Sequence, residues 1–503
     1  MGATGSAAAT DDGPVVDIQS GAFVKFDAKT AWANAGSAFR NTYTVEEAVA
    51  ETTSAGRATQ TVSTGSFTLA DGATIEVDNL SWGVFKLADG FKTSSYEGTV
   101  TTNVGEGWAF AQDKTSFDKE TGEIVVGGKG VAGSGFEGSA AAGMLDKIFA
   151  GDRSYYGAAG EQRADAIVLQ SVLAKVSKDY SVADAARDMD RMTLVGVAGG
   201  TNALAFDLSS YTADVIEHHA SSVPIDRGGW WVKPVGMSLS QDDMRAAGIR
   251  GGYDMTATGL MGGLDVTTRS GLIFGAALSY LSGDADGQAD AQGSSADVSN
   301  VGLHLWGSRD YGDLTVTGTL SYLKHSADAK ASVAGFAFAS EADSSLLALG
   351  ARAELHKWIG KLEVAPHAGA RLMRFDADAY DIKVAGLNAF KVEADKATVF
   401  EVPVGVTLSS AFEYERWFVQ PYVDFTVRGR FGDTDGTVSV AGATLGGASP
   451  TAYDVTGKYT ADMTLGYMST FRDLNLGMSY GVSAGDLGRL NQRLEATLRI
   501  AFD

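Results

Sequence analysis

Apolar and polar residues alternate with a period of two from Trp230 to the C-terminus, the pattern of strands with one apolar face. The alternation predicts twelve strands, near 230–240, 251–267, 271–283, 297–308, 313–326, 344–358, 361–376, 398–412, 416–430, 456–471, 474–484 and 491–502. The apolar face reads Leu272, Phe274, Ala276, Leu278 and Tyr280 in the third strand and Phe400, Val402, Val404, Val406 and Leu408 in the eighth. In the last it reads Leu494, Ala496, Leu498, Ile500 and Phe502. The opposite face carries ions of both signs: Arg352, Glu354, Glu363, His367, Arg371, Asp424, Arg428, Arg493, Glu495 and Arg499. Lys233 leaves the first strand ambiguous; the other eleven keep charge out of the apolar set.

Ahead of the strands, residues 141–222 follow a helical period. Leu169, Val172, Leu173, Val176 and Tyr180 share one spacing, and Ser181 with Asp184 forms a capping pair for the next helix. After Gly199-Gly200, Leu204, Leu208, Tyr211 and Val215 form an apolar stripe. Ser210, Asp214, Glu217 and His218 fall largely away from it, and Pro224 with Gly228-Gly229 ends the helix. Residues 1–140 are rich in Gly, Thr, Ser and Ala. There Phe67-Thr-Leu-Ala-Asp-Gly72 recurs 18 residues later as Phe85-Lys-Leu-Ala-Asp-Gly90, a strand running into a tight turn. Short-period repetition predicts stacked β-solenoid coils, with a two-strand meander as the alternative. The chain thus divides into a β-solenoid-like segment (1–140), a helical linker (141–222) and a strand-rich domain (223–503).

Alternation alone suits a soluble sandwich as well as a barrel. Connection lengths separate the two. Thr268–Ser270, Ser308–Asp310, Trp358–Gly360, Tyr414-Glu415 and Phe471–Asp473 are short, while 240–250, 284–296, 327–343, 377–397 and 431–455 are long. Short turns on one rim and long loops on the other mark an outer-membrane barrel, and Greek-key sandwiches lack that regularity. An even strand count puts the start of the barrel and the end of the chain on the short-turn side. The charged face adds a second argument, because buried ions cost several kcal/mol each unless paired, whereas a watery lumen tolerates them. Tyr280, Tyr322, Trp358, Trp417, Tyr467 and Tyr480 lie toward strand ends, where an interfacial girdle belongs. The fold expected is therefore mainly β: a twelve-stranded antiparallel transmembrane β-barrel with an N-terminal β-solenoid-like segment.

Composition fits that reading. Among 503 residues, 40 are Lys or Arg and 62 Asp or Glu, a net charge of −22 with no basic arm, which argues against nucleic acid as a partner. No apolar run approaches the ~18–20 residues of a membrane helix. The absence of cysteine excludes disulfides and thiolate metal sites. Met1-Gly-Ala-Thr-Gly-Ser lacks the basic and apolar regions of a signal peptide, so the chain is either cytoplasmic or shortened at its start.

Four chemical motifs lose to plainer readings. Gly481-Val-Ser-Ala-Gly485 fits a nucleophile elbow but lies at the end of a strand with no following helix. Gly128, Gly130 and Gly133 fit G-x-G-x-x-G without the helix a dinucleotide site needs. Asp284, Asp286, Gly287 and Asp290 lack the closing Glu of a Ca²⁺ loop. His218 and His219 point about 100° apart on a helix and are poor joint ligands. Residues 1–140 contain no histidine, so no Ser-His-Asp triad can be built there. Catalytic, cofactor and metal sites are all expected to be absent.

The ordered set over residues 190–503 resembles the classical monomeric autotransporters of Gram-negative bacteria. Gly199–Phe206 through Val215-Ile-Glu-His-His219 resembles their helical linker. Trp230–Pro234, Gly259–Asp265 and Leu272–Tyr280 resemble the opening strands of their barrel. The resemblance implies a type V secretion device in the outer membrane, without enzymatic activity, that displays its own N-terminal passenger at the cell surface, with an adhesive role. It implies a linker helix through the pore, offering Asp214, Glu217 and His218 to the wall arginines. It also implies outer-membrane lipid and the barrel-assembly machinery as partners of a monomer, with Ile500 and Phe502 as the assembly signal. Asp503 follows Phe502, Thr497 stands where that signal often carries glycine, and the linker has a lone Asn202 where cleaved subfamilies carry an Asn-Asn pair. A porin-like channel is the alternative; it requires an open lumen without a helix.

Overall fold

In the computed structural model, residues 8–10, 13–27, 43–44, 66–80, 83–86, 93–104, 111–120, 122–149, 164–173, 175–176, 178–196, 202–222, 228–414 and 416–502 are described. The second Asp89-Gly90 turn, Gly199-Gly200, Pro224 and Glu415 lie outside them. The chain forms two units: residues 1–189 with 386–390 and 441–449, and residues 190–385, 391–440 and 450–503.

In the first unit short strands stack in parallel. Val15–Ile18 pairs with Ser66–Leu69, which pairs with Thr93–Tyr96; Phe23–Asp27 pairs with Thr74–Asp78, which continues to Thr99–Thr102. Leu69, Ile75, Val77 and Tyr96 are buried between them. The rungs do not follow the 18-residue repeat: Phe67 lies beside Ser94, 27 residues on, while Phe85 pairs antiparallel with Ile124. Backbone pairing sets this register, and two similar hexapeptides do not.

Three described helices follow, α1 (Ala142–Phe149), α2 (Ala164–Leu173) and α3 (Val182–Arg191). The predicted run to Tyr180 stops at Leu173, where Val176 N–H donates to the Leu173 carbonyl as a turn. Ser181 and Asp184 cap α3 reciprocally: Asp184 N–H donates to Ser181 Oγ at 3.2 Å and Ser181 N–H to Asp184 Oδ2 at 3.0 Å. Ser181 Oγ–H, donating to Asp184 Oδ2 at 2.8 Å, and the Ser181 N–H bond hold the Asp184 carboxyl below its usual value.

Asp165, fully buried in α2, grips the hairpin 441–449. Its carboxylate accepts Thr444 N–H, Leu445 N–H and Thr444 Oγ1, each at 2.7 Å. Gly143 meets the same hairpin so closely that a Cβ there would lie 2.4 Å from Gly447 O. Asp165→Ala would strand two backbone donors and is expected to cost about 1–3 kcal/mol. Limited proteolysis should then cut within 441–449 while the barrel stays intact.

The second unit holds a closed antiparallel barrel of twelve staves. The main strands are β1 (Gly228–Ala246), β2 (Ile249–Thr267), β3 (Leu272–Ala289), β4 (Ser294–Tyr311), β5 (Leu314–Val333) and β6 (Phe336–Leu355). The wall continues through β7 (Leu362–Ala377), β8 (Ala397–Ser410), β9 (Trp417–Gly432), β10 (Tyr459–Phe471), β11 (Leu474–Gly485) and β12 (Leu490–Phe502). β1 pairs with β12, Trp230 beside Ile500 and Gly228 beside Phe502, which closes the ring. A closed ring leaves no edge, so every strand backbone finds a partner within the wall, as lipid requires.

The long segments expected as loops are strand. β5 and β6 run on to Val333 and Phe336 and turn over Ala334-Gly335 alone, with Gly335 at φ 90°. Asp284 and Asp286, read as a solvated loop, sit exposed on β3. The cause is a change in which face is apolar. On β5 the outward residues are Val316, Leu320 and Tyr322, then Lys324, Ser326, Asp328 and Lys330. Inward they are Thr315, Thr317, Thr319 and Ser321, then Leu323, Ala327, Ala329, Ala331 and Val333, with His325 the polar exception. The outward face is apolar where lipid lies and polar above it; the inward face does the reverse. The apolar outward run Leu272–Tyr280 covers about 27 Å of strand, or about 21 Å of height at a tilt near 40°, close to the ~25 Å belt of outer-membrane barrels.

Candidate functional site

The helix α4 (Asn202–Ser222) threads the barrel interior. It carries no single polar face: Asp207, Ser209, Ser210, Thr212, Glu217 and His219 are as buried as Leu204, Phe206 and Ile216. Asp214 and His218, on the expected polar side, keep partial exposure toward the lumen cavity, while Asp207, Ser209, Thr212 and His219 are polar residues buried elsewhere on the helix. Its backbone runs closest to β4, β5 and β6. Its carboxylates reach long side chains on β6, β7 and β9 and Arg489 just ahead of β12.

The centre of this network is Glu401 on β8, fully buried. Its parity with Phe400 outward turns it inward, between Arg371 of β7 and Arg430 of β9, its cross-strand neighbours. Arg371 Nη1 donates to its Oε1 at 2.6 Å and Arg430 Nε to its Oε2 at 2.9 Å; Ser210 Oγ, on the helix, donates to Oε2 at 2.6 Å. Arg428 Nε lies 3.9 Å from Oε1.

The helix adds three carboxylates. Asp207 accepts from Arg430 Nη2 at 3.0 Å and Arg489 Nε at 2.7 Å. Asp214 pairs with Arg428 and lies 3.6 Å from Arg371. Glu217 lies 3.3 Å from Arg371 and 3.8 Å from Arg352. Lower down, His219 Nε2 is 2.9 Å from Asp265, which accepts from Arg499 at 3.1 Å, and the His219 ring packs on Trp231.

The remaining sequence candidates line the same lumen. Arg352 pairs with Glu354 at 2.7 Å, and Arg493 covers the Tyr211 ring at 5.4 Å. Glu363 binds His356 and Ser409, each at 2.7 Å, and Asp424 binds Thr407 and Thr426. His218 meets the Tyr422 ring edge-on at 4.7 Å. Lys233 is 3.0 Å from Glu495, which resolves the first strand: its odd positions face inward as far as Gln241, where the register shifts. Ile500 and Phe502 lie on β12 at the seam with β1. Below the helix a cavity of about 580 Å³ is lined by Lys233, Arg352, Glu354, Glu363 and Asp424.

The sequence does not single out Asp207, Asp265, Glu401, Arg430 or Arg489, and it raises His219 only as a poor joint ligand with His218. Strand parity identifies Glu401 and Arg430, which alternate with Phe400 and Phe431. Asp207 hides beside the apolar stripe, and Arg489 follows a turn, where parity gives no direction. Among the described residues no group of His, Cys, Asp or Glu is arranged to hold a metal ion.

A sequence profile described as the autotransporter beta-domain matches residues 230–481. Among solved structures, the translocator domain of the autotransporter NalP from Neisseria meningitidis is similar over 61% of this chain and 99% of its own, at 14% identity and a TM-score of 0.50. The beta domain of the Bordetella autotransporter BrkA (19% identity, 55% of this chain and 99% of its own, TM-score 0.40) is also similar. So is the transport unit of AIDA-I from Escherichia coli (12%, 55% and 90%, TM-score 0.43). No curated protein sequence matches the chain.

Proposed function

The chain belongs to the autotransporter family, an outer-membrane protein of type V secretion with its passenger at the cell surface, and we propose that the helix α4 serves as the plug that closes its translocation pore. The observation that carries this reading is the set of ion pairs from Asp207, Asp214 and Glu217 to inward-facing arginines. In a confined, partly desolvated lumen such charges attract more strongly than on an open surface, where a pair yields ~0–1 kcal/mol. A general porin needs an open lumen, and α4 argues against it. The parallel ladder of the first unit supports a β-solenoid passenger remnant, for which an adhesive role is the family-like reading. Lipid meets the uncharged outer belt, and the β12–β1 seam, with Ile500 and Phe502, is the place for the barrel-assembly machinery to act on a monomer. The barrel works by shape and charge rather than by catalysis.

The chain contains no cysteine, so single-cysteine reporters test the topology cleanly. Ser332→Cys, on the long hairpin, is expected to react with an impermeant maleimide on intact cells, and Lys361→Cys, on the short-turn rim, only after the outer membrane is opened. The reverse labelling would invert the barrel and remove the secretion reading.

A further inference from the structure

Glu363 and Asp424 stand apart from the other charges of the lumen. They line the cavity of about 580 Å³ below α4, and among the described residues they are the carboxylates of its wall with no arginine or lysine within 4.0 Å. The others are matched: Asp214 and Glu217 face Arg371, Glu354 faces Arg352, and Asp462 and Glu495 face Arg493. The cavity's remaining cations are matched too, Lys233 by Glu495, Arg428 by Asp462 and Arg499 by Asp265. Glu363 is held by His356, Ser409 and Gln420, and Asp424 by Thr407 and Thr426 with His367 3.7 Å away. Their side chains are only 13% and 20% exposed. With neutral imidazoles, two largely desolvated negative charges therefore lack a fixed cation.

Strand register sets aromatic rings beside them. Trp358 is the cross-strand neighbour of Glu363, Glu363 of Ser409 and Ser409 of Tyr422, so the four form one row, and all of them line the cavity. Asp424 follows two positions along β9, which puts its Cα about 12 Å from that of Glu363. One metal ion does not span that gap. A carboxylate with an aromatic neighbour is instead a setting for an ammonium group, and two such settings suit a flexible chain with an ammonium at each end.

We propose that the cavity binds a linear polyamine, one ammonium group at Glu363 and Trp358 and another at Asp424 and Tyr422. The inference stands apart from the secretion reading, since it needs the cavity and no passenger. The volume lies within the range of small-molecule sites. The cavity reaches the short-turn rim, where Trp358 and Phe418 are exposed, and the amine enters there. Tyr422 also meets the His218 ring of α4, so an occupant sits against the end of the plug and stabilises the folded, plugged barrel.

The probe is spermidine, titrated calorimetrically into the folded full-length protein in uncharged detergent at about pH 8, where an ordinary imidazole is neutral. Saturable binding of one amine per barrel is expected. At ten times its Kd, spermidine should shift the unfolding equilibrium about elevenfold toward the folded barrel and raise the urea midpoint. Butylammonium, which reaches one carboxylate at a time, should bind at least about tenfold more weakly. Glu363→Gln/Asp424→Asn should weaken spermidine at least about tenfold. Should that chain not fold, Asp424→Asn alone carries the comparison. Spermidine affinity unchanged in the variant, or spermidine displaced by Mg²⁺ at equal charge, would overturn the site and leave secretion standing.

Discussion

Glu401→Ala is expected to be among the most damaging single substitutions in the barrel, lowering stability by about 3–5 kcal/mol. Glu401 is fully buried, accepts from Arg371, Arg430 and Ser210, and has Arg428 3.9 Å away. Its loss removes the one carboxylate these three guanidinium groups share, leaving Arg371 to Asp214 and Glu217, Arg428 to Asp214 and Asp462, and Arg430 to Asp207. Removing one member of a buried charge network costs far more than the network contributes against an apolar alternative. Glu401→Asp keeps the charge but shortens its reach and should fall between the two. The urea midpoint of the folded-barrel band on semi-native gels measures the order wild type, Asp, Ala. An unchanged midpoint for Ala would mean that lumen water already screens these arginines.

A second large effect is expected from removing charge without removing volume. In the Asp207→Asn/Asp214→Asn/Glu217→Gln chain the helix keeps its size and its apolar contacts. It loses the ion pairs to Arg371, Arg428, Arg430 and Arg489. Those arginines then face a neutral plug, with Glu401 and Asp462 as the wall carboxylates still paired to Arg371, Arg428 and Arg430. If only ~1.4 kcal/mol of net attraction is lost, the unplugged fraction rises tenfold. In planar bilayers the full-length variant should show openings at least about ten times as often as wild type. A variant as quiet as wild type would assign the closure to packing against β4, β5 and β6 rather than to charge.

What the sequence disclosed follows from where lipid acts on it. Within the belt the outward face must be apolar, so period two stands out, and strands such as β3 and β5 are legible from Leu272–Tyr280 and Leu314–Tyr322. Above the belt the apolar face turns inward and is built of Ala327, Ala329 and Ala331, too small to register against Asp328 and Lys330. The alternation therefore stops where the strands leave the lipid. The lumen was partly legible because parity turns Arg371 and Arg428 inward. Their partners were not, because pairing in a closed ring depends on stagger and on the helix's rotation, neither of which a single strand records. The helix misled for a related reason. Amphipathic readings assume one wet face, and on α4 only Asp214 and His218 keep partial exposure while Asp207, Ser209, Thr212 and His219 are buried against the wall.

Deletion of Asn202–Ser222, followed by conductance in planar bilayers, tests the central claim most directly. The account predicts that the full-length protein is nearly silent and that the deleted barrel, once shown to be folded by its heat-modifiable mobility, conducts steadily. Equal conductance from the two folded proteins would contradict it and place the closure of the pore elsewhere in the chain.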